Sequence, residues 1–176
     1  MAVLRKKIKG PRPPAEYDPN RAAADALALA QSYTVVQEPL AVFELAAALG
    51  ITVNKRPLPE GTSGYFRKTE RGWEIGVNSL HHPHRQRFTV AHELGHYFLH
   101  RDSEPFEDGL LFRRENQINR KEREANEFAA LLLMPAIEFR QAIGDGDIEN
   151  VAARFGVSRQ AAEFRRNAVL DQLPID

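Results

Sequence analysis

The chain contains no cysteine. Disulfides and thiolate ligands are therefore excluded, and any metal centre has to be built from histidine and carboxylates. Long apolar runs are also missing. The longest, Ala129 to Ala136, is interrupted only by Pro135 and is far too short to span a bilayer. The basic start MAVLRKKIKGPR is followed by no apolar segment, so no secretory signal is expected and the cytoplasm is the expected compartment. Net charge is absent as well, with 24 Lys and Arg against 24 Asp and Glu. A neutral chain is not a bulk polyanion binder, although local patches remain open to it.

What is present suffices for one domain with a small appendage, since 43% of the 176 residues are hydrophobic. Residues 1–20 combine five cations with Pro11, Pro13, Pro14 and Pro19 and read as a flexible basic arm, either a solvated tail or a contact arm. Periodicity and punctuation predict helices over 21–33, 39–49, 83–99 and 119–134. Strands are expected over 51–56, 64–68 and 73–78, the last two paired as a hairpin across TERG. A polar, acidic loop spans 101–117, and short helices over 135–143, 147–154 and 158–171 close the chain. The expected class is α+β, helices around a small antiparallel sheet. Residues 21–144 form the main domain and 145–176 a helical, helix-turn-helix-like tail.

The chemistry concentrates in RFTVAHELGHYFLH, which contains H-E-x-x-H. On a helix, His92 and His96 share one face and can direct ring nitrogens at a single ion. Glu93 lies beside them, within reach of a metal-activated water. Phe88, Ala91, Leu94, Phe98 and Leu99 form the apolar face, and Gly95 would let another element approach closely. Catalytic zinc takes three protein ligands and keeps one position open. The extended histidine motif is absent, because Leu99 and Asp102 occupy the positions of its glycine and third histidine. The third ligand is then expected from KEREANEFAALLLMP. There Ala125, Phe128, Ala129, Leu132 and Leu133 define a buried face, with Glu122 and Asn126 on its flank. Helical geometry favours Glu122 as the ligand and places Asn126 to orient a ligand from outside. Glu124 and Glu127 point away and read as solvated surface.

His100 is either a further polar group in the cleft or a cap on the helix end. His81, His82 and His84 read as solvated loop residues with no assigned role. Tyr65 and Tyr97 are candidate donors to a developing oxyanion, each weighed against a plain aromatic role in a half-buried element.

With these segments in view, the sequence resembles the ImmA/IrrE family of metallo-endopeptidases. The match is carried by IGVNSLHHPHRQRFTVAHELGHYFLH, KEREANEFAALLLMP and the tail VAARFGVSRQAAEFRR. The resemblance implies a zincin-like fold with a gluzincin-type Zn2+ site formed by His92, His96 and Glu122, and with Glu93 as base. It also implies a protein substrate, a helix-turn-helix repressor of the Xre or cI type, cleaved in mobile-element induction or stress response. The tail departs from the family by reading Phe164-Arg165-Arg166-Asn167 where leucines are usual. The first 60 residues do not resemble the repressor-like domain that some relatives carry. Two other classes stand beside this one: a toxin–antitoxin component that works by binding, and a DNA-binding module using the spacing of Ala152, Gly156 at the turn and Ser158 as a cap for a helix carrying Arg159, Gln160, Arg165 and Arg166. The acidic stretch from Asp102 to Asp108 would repel nucleic acid, so DNA binding is expected to be weak at most. No membrane partner is expected.

Overall fold

The computed structural model describes residues 18–33, 38–102 and 115–171. Most of the basic arm and of the acidic loop therefore lies outside the described residues. Ten elements follow in order: α1 (Pro19–Ser32), α2 (Val42–Ala48), β1 (Thr52–Arg56), β2 (Gly64–Thr69), β3 (Gly72–Asn78), α3 (Pro83–Leu99), α4 (Glu115–Leu133), α5 (Ala136–Asp145), α6 (Ile148–Phe155) and α7 (Arg159–Leu170). The class is α+β. Helix α1 opens earlier than its alanine pattern suggests, because Pro19 occupies its first turn and the Asp18 carboxylate accepts from the amides of Asn20 and Arg21. Pro135 does not extend α4 but caps α5.

The sheet is mixed, in the order β1-β3-β2. The hairpin pairs β2 antiparallel to β3, with Phe66 opposite Ile75. Strand β1 runs parallel to β3, with Val53 opposite Ile75. Strand direction here is set by the crossover through residues 57–63, and an alternation pattern carries no information on that. Strand β2 is left as the edge beside α3.

Helix α3 lies between the sheet and the helical layer. Its sheet side carries Tyr97, which meets Phe66 and Trp73 edge-on at 6.1 Å while those two rings stack at 4.6 Å. The opposite side carries Gly95, where a Cβ would lie 3.0 Å from Ala125 Cα and 3.1 Å from the Ala125 carbonyl oxygen of α4. The absent side chain is what lets the two helices touch backbone to backbone. Leu94, Phe128 and Leu132 are wholly buried in the core around this crossing, and Phe98 stacks on Phe128 at 5.4 Å. A Gly95→Leu chain is expected to lose about 1–3 kcal/mol of stability through overpacking. The loss should appear as a lowered urea midpoint together with weakened metal binding, since α4 cannot keep its present distance from α3.

The two last helices are fastened to the core by side-chain to backbone bonds. Arg87 of α3 donates to the Gly156 carbonyl at 3.1 Å and to the Leu40 carbonyl at 2.8 Å. Gly156 ends α6 in the left-handed region, with φ of 62°, a conformation that glycine adopts without steric cost. Ser158 then caps α7 by accepting from the Ala161 amide.

Candidate metal centre

Helices α3 and α4 bring three groups to one point. His92 Nε2 lies 3.1 Å from His96 Nε2. The Glu122 carboxylate reaches both rings, at 3.1 Å to His92 and 3.3 Å to His96. Both imidazoles are largely enclosed, with side-chain exposures of 15% and 11%, while Glu122 is 39% exposed on the open side. Spacing of four residues on α3 supplies the first pair, and the Gly95–Ala125 crossing sets α4 close enough to add the third.

Hydrogen bonding on the far side of each ring fixes which nitrogen faces inward. Asn126 Oδ1 lies 2.9 Å from His92 Nδ1. An amide oxygen only accepts, so Nδ1 carries the proton and Nε2 turns a bare lone pair to the cluster. On His96, Nδ1 lies 3.0 Å from His100 Nδ1, and His100 Nε2 lies 2.9 Å from Glu124 Oε2. Glu124 also accepts from Arg120 at 2.7 Å, which holds it as a carboxylate. His100 therefore donates through Nε2. Burial pushes its pKa down to about 4, which keeps the ring neutral. Its Nδ1 is then an acceptor, His96 donates to it, and His96 Nε2 is bare. Two imidazole lone pairs and a carboxylate thus face one another at 3.1–3.3 Å. Such an arrangement is repulsive until a cation or a proton sits among them. A four-coordinate ion with bonds of about 2.0–2.1 Å needs its donors about 3.3 Å apart. The residues present therefore fit a divalent metal, and among the described residues they are the one His/carboxylate group so arranged.

The titration behaviour of the metal-free chain reflects the same crowding. In the metal-free chain a proton taken up at Nε2 of His92 or His96 stands in for the cation, and hydrogen bonding from these protonated rings holds Glu122 far below the usual carboxylate range. Burial lowers the basicity of His92, but the Glu122 hydrogen bond and the nearby Glu93 charge more than offset it, and its pKa is raised. Glu93 is 7% exposed, and burial pushes its pKa up to about 7, against a smaller lowering by His92. Edge strand β2 walls it in: a Cβ at Gly64 would stand 3.5 Å from Glu93 Oε1 and collide with Thr89.

The structure departs from the sequence expectation at three residues, Glu124, Tyr65 and His82. Glu124 is not solvated surface; its side chain is 12% exposed and is held by His100 and Arg120. The apolar stripe of α4 taken alone turns Glu124 outward, whereas His100 reaches it from the C-terminal end of α3. His100 itself is 2% exposed and meets both expectations: it is the C-cap of α3, its amide bonded to the His96 carbonyl, and its ring joins the hydrogen-bond network behind His96. Tyr65 is not brought to the cluster. Its hydroxyl donates to Glu74 and accepts from Arg56, each at 2.7 Å, on the sheet face opposite that of Gly64. Tyr97 lies in the aromatic cluster under the sheet, and Glu127 is exposed as expected. His82, given no role from sequence, caps α3 by accepting from the His84 amide at 3.2 Å. The signal was its place directly before Pro83, a favoured first helical residue.

Because His100 acts on a candidate ligand rather than on an ion, His100→Ala is expected to weaken metal affinity by about 10–100-fold while leaving one site per chain. Competition with a chromophoric chelator measures this.

A helix carrying H-E-x-x-H, crossed by a second helix that presents a carboxylate, defines a metallopeptidase class. The family model described as the IrrE N-terminal-like domain, a metallopeptidase family, matches residues 46–167, and the chain belongs to that family. Over 95 residues it is 35% identical to the "uncharacterized immunity region protein 2" of Bacillus phage phi105, an alignment covering 53% of this chain and 58% of that one. A Mycobacterium tuberculosis transcriptional regulator shares the fold, with a TM-score of 0.62 at 23% identity over 90% of this chain and 50% of that chain. The chain thus spans between half and three-fifths of the length of these relatives. No helix among the described residues is long and apolar enough to cross a membrane.

Proposed function

We propose that the chain is a zinc-dependent endopeptidase that cleaves a helix-turn-helix repressor in the cytoplasm. The observation that carries the peptidase reading is the convergence of two tautomer-fixed imidazoles and the Glu122 carboxylate beside a buried carboxyl, Glu93. His92, His96 and Glu122 would hold the metal. Zinc suits imidazole and carboxylate donors, and when bound it supplies Lewis acidity toward a peptide carbonyl and makes water easier to deprotonate.

The protein's own groups do the rest. Glu93, whose burial makes it a stronger base than a solvated carboxylate, accepts the proton of the attacking water and returns it to the leaving amine. Asn126 and the His100–Glu124 pair keep both imidazoles in the tautomer whose Nε2 carries no proton. The β2 edge beside Glu93 excludes solvent from the base. The repressor as substrate is supported by family membership and by the phage immunity-region name of the relative.

Binding to DNA is disfavoured by the state of α7. Arg159 is engaged by Glu149 and Glu163, and Arg165 is buried rather than presented. The direct test incubates the zinc-loaded chain with a helix-turn-helix repressor encoded beside it and identifies the products by mass spectrometry. Discrete cleavage that stops on chelation supports the reading. An intact repressor held in a stable complex would instead favour a toxin–antitoxin-like role through binding, and a sequence-specific gel shift would favour a DNA reader.

A further inference from the structure

Beside the metal centre, the first part of α3, the middle of α4 and the outer face of α7 enclose a groove of about 940 Å³, at the upper end of the range of ligand pockets. Most of its exposed wall is apolar, with contributions from Phe88, Met134, Val157 and Phe164, the last 70% exposed, and polar side chains such as Ser158 and Gln160 stand among them. Asn126, which orients His92, stands in its lining, so the groove borders the candidate active site.

Among the polar groups of that lining, Arg165 is the buried one without a full set of partners. Arg165 is only 8% exposed, and its Nε donates to the Met134 carbonyl at 3.1 Å. Its Nη2 is buried and has no hydrogen-bond partner among the described residues. A buried guanidinium nitrogen left unmade costs free energy, more than a neutral donor would. The charges around it do not cancel this. Burial and the neighbouring Arg140 both lower its basicity, and Glu127, exposed at the rim, offsets them only in part. Arg85, the exposed cation of the same lining, donates to Ser63 and brings no carboxylate with it. The groove is therefore a largely apolar trough with a guanidinium in its wall whose Nη2 is hydrogen-bonded by no carboxylate among the described residues.

We propose that this groove is a substrate-docking site that takes an apolar stretch of polypeptide carrying one acidic side chain, with the carboxylate paired to Arg165. A free inorganic anion would leave the apolar walls and exposed Phe164 uncovered, and a wholly apolar segment would leave Nη2 unpaired. The lining continues beyond Arg165 to Ala168, so a chain can run past the guanidinium, which favours an internal Asp or Glu over a chain terminus. Only the link from docking to cleavage rests on the peptidase reading; the binding itself does not.

The test uses fluorescein-labelled, C-terminally amidated peptides with Leu and Ala around a single Glu, and the same peptides with Gln. Fluorescence polarisation is read on the full chain, both metal-loaded and after chelation. The Glu peptide should bind about tenfold more tightly than the Gln peptide in both states, as expected for a charge-assisted pair. Arg165→Gln, which keeps a donor for the Met134 carbonyl, should make the two peptides bind alike. Ala161→Trp, which fills the groove and leaves Arg165 in place, should weaken both. Equal binding of the two peptides to the unmodified chain, binding of neither, or a Glu preference that survives Arg165→Gln overturns the proposal. If Arg165→Gln does not fold, the Glu and Gln comparison and Ala161→Trp still decide it. A chain that shows the Glu preference but cleaves no repressor would sink the peptidase reading and leave the groove standing. Cleavage with no Glu preference does the reverse.

Discussion

Replacing Glu93 by glutamine is expected to leave the chain folded and metal-loaded and to lower peptide cleavage by about 10²–10⁴-fold, the range a general base contributes. The amide keeps the shape of the side chain but cannot accept a proton from water. Metal content should not change, because the three converging donors are His92, His96 and Glu122. A variant that keeps most of its cleavage rate with full zinc would remove Glu93 from the mechanism. The same substitution has a second consequence, visible without substrate. Burial raises the Glu93 pKa to about 7 in the folded, metal-free chain, against 4.5 for the ordinary group. A carboxyl whose folded pKa is raised destabilises the fold once it ionises. The penalty is absent below pH 4.5, grows as pH climbs toward 7, and is complete above it. Glutamine never ionises. Metal-free Glu93→Gln should therefore be more stable than the parent at pH 8, by up to about 3 kcal/mol. The advantage should vanish near pH 4.5. Urea titrations of the chelated proteins at the two pH values measure it. In the metal-loaded enzyme the cation favours the carboxylate, so the acidic limb of kcat/KM, which falls as Glu93 protonates, should lie below about 7.

Much of this site can be read from the residues before any coordinates. The helix over 83–99 follows from periodicity, from Pro83 at its start and from the four-residue spacing of His92 and His96. Gly95 announces a close neighbour, because a small residue inside a helix full of large apolar ones has no other evident use. The flank position of Glu122 and Asn126 follows from the apolar stripe of α4. What escapes the sequence depends on a partner element. Glu124 looks solvated on the wheel of α4, and only the placement of His100 on α3, one turn past His96, shows that it is captured. The parallel direction of β1 depends on a crossover whose path leaves no periodic trace. Tyr65 could be weighed for the cleft only as an aromatic near it. The register that sets it opposite Gly76, on the face away from α3, is a property of the paired strands. The buried Arg165 is least legible of all, since R-R in an amphipathic helix gives no sign of which arginine turns inward.

Removal of the third donor should have the largest effect on the metal. Glu122→Ala leaves two neutral imidazoles with no anionic partner, and a catalytic site with two protein ligands is one short of the usual three. The expected result is a fall from one zinc per chain to none detectable after gel filtration, with helix content unchanged because Glu122 is partly exposed. Glu124→Gln separates ligand from support. Its amide still offers an oxygen to His100 but loses the charge that Arg120 and His100 share. Stoichiometry should stay at one while affinity drops about tenfold or more. Thermal melts give an independent reading. A metal bound by the native state alone raises stability by RT ln(1 + [L]/Kd), about 2.7 kcal/mol at a hundredfold excess over Kd. The zinc-dependent rise in Tm should be full in the parent, reduced in Glu124→Gln and absent in Glu122→Ala. If Glu122→Ala kept both its zinc and its thermal shift while Glu124→Gln lost them, the ligand would be the carboxylate beside His100. The convergence of His92, His96 and Glu122 would then be an ion pair of the metal-free chain and nothing more.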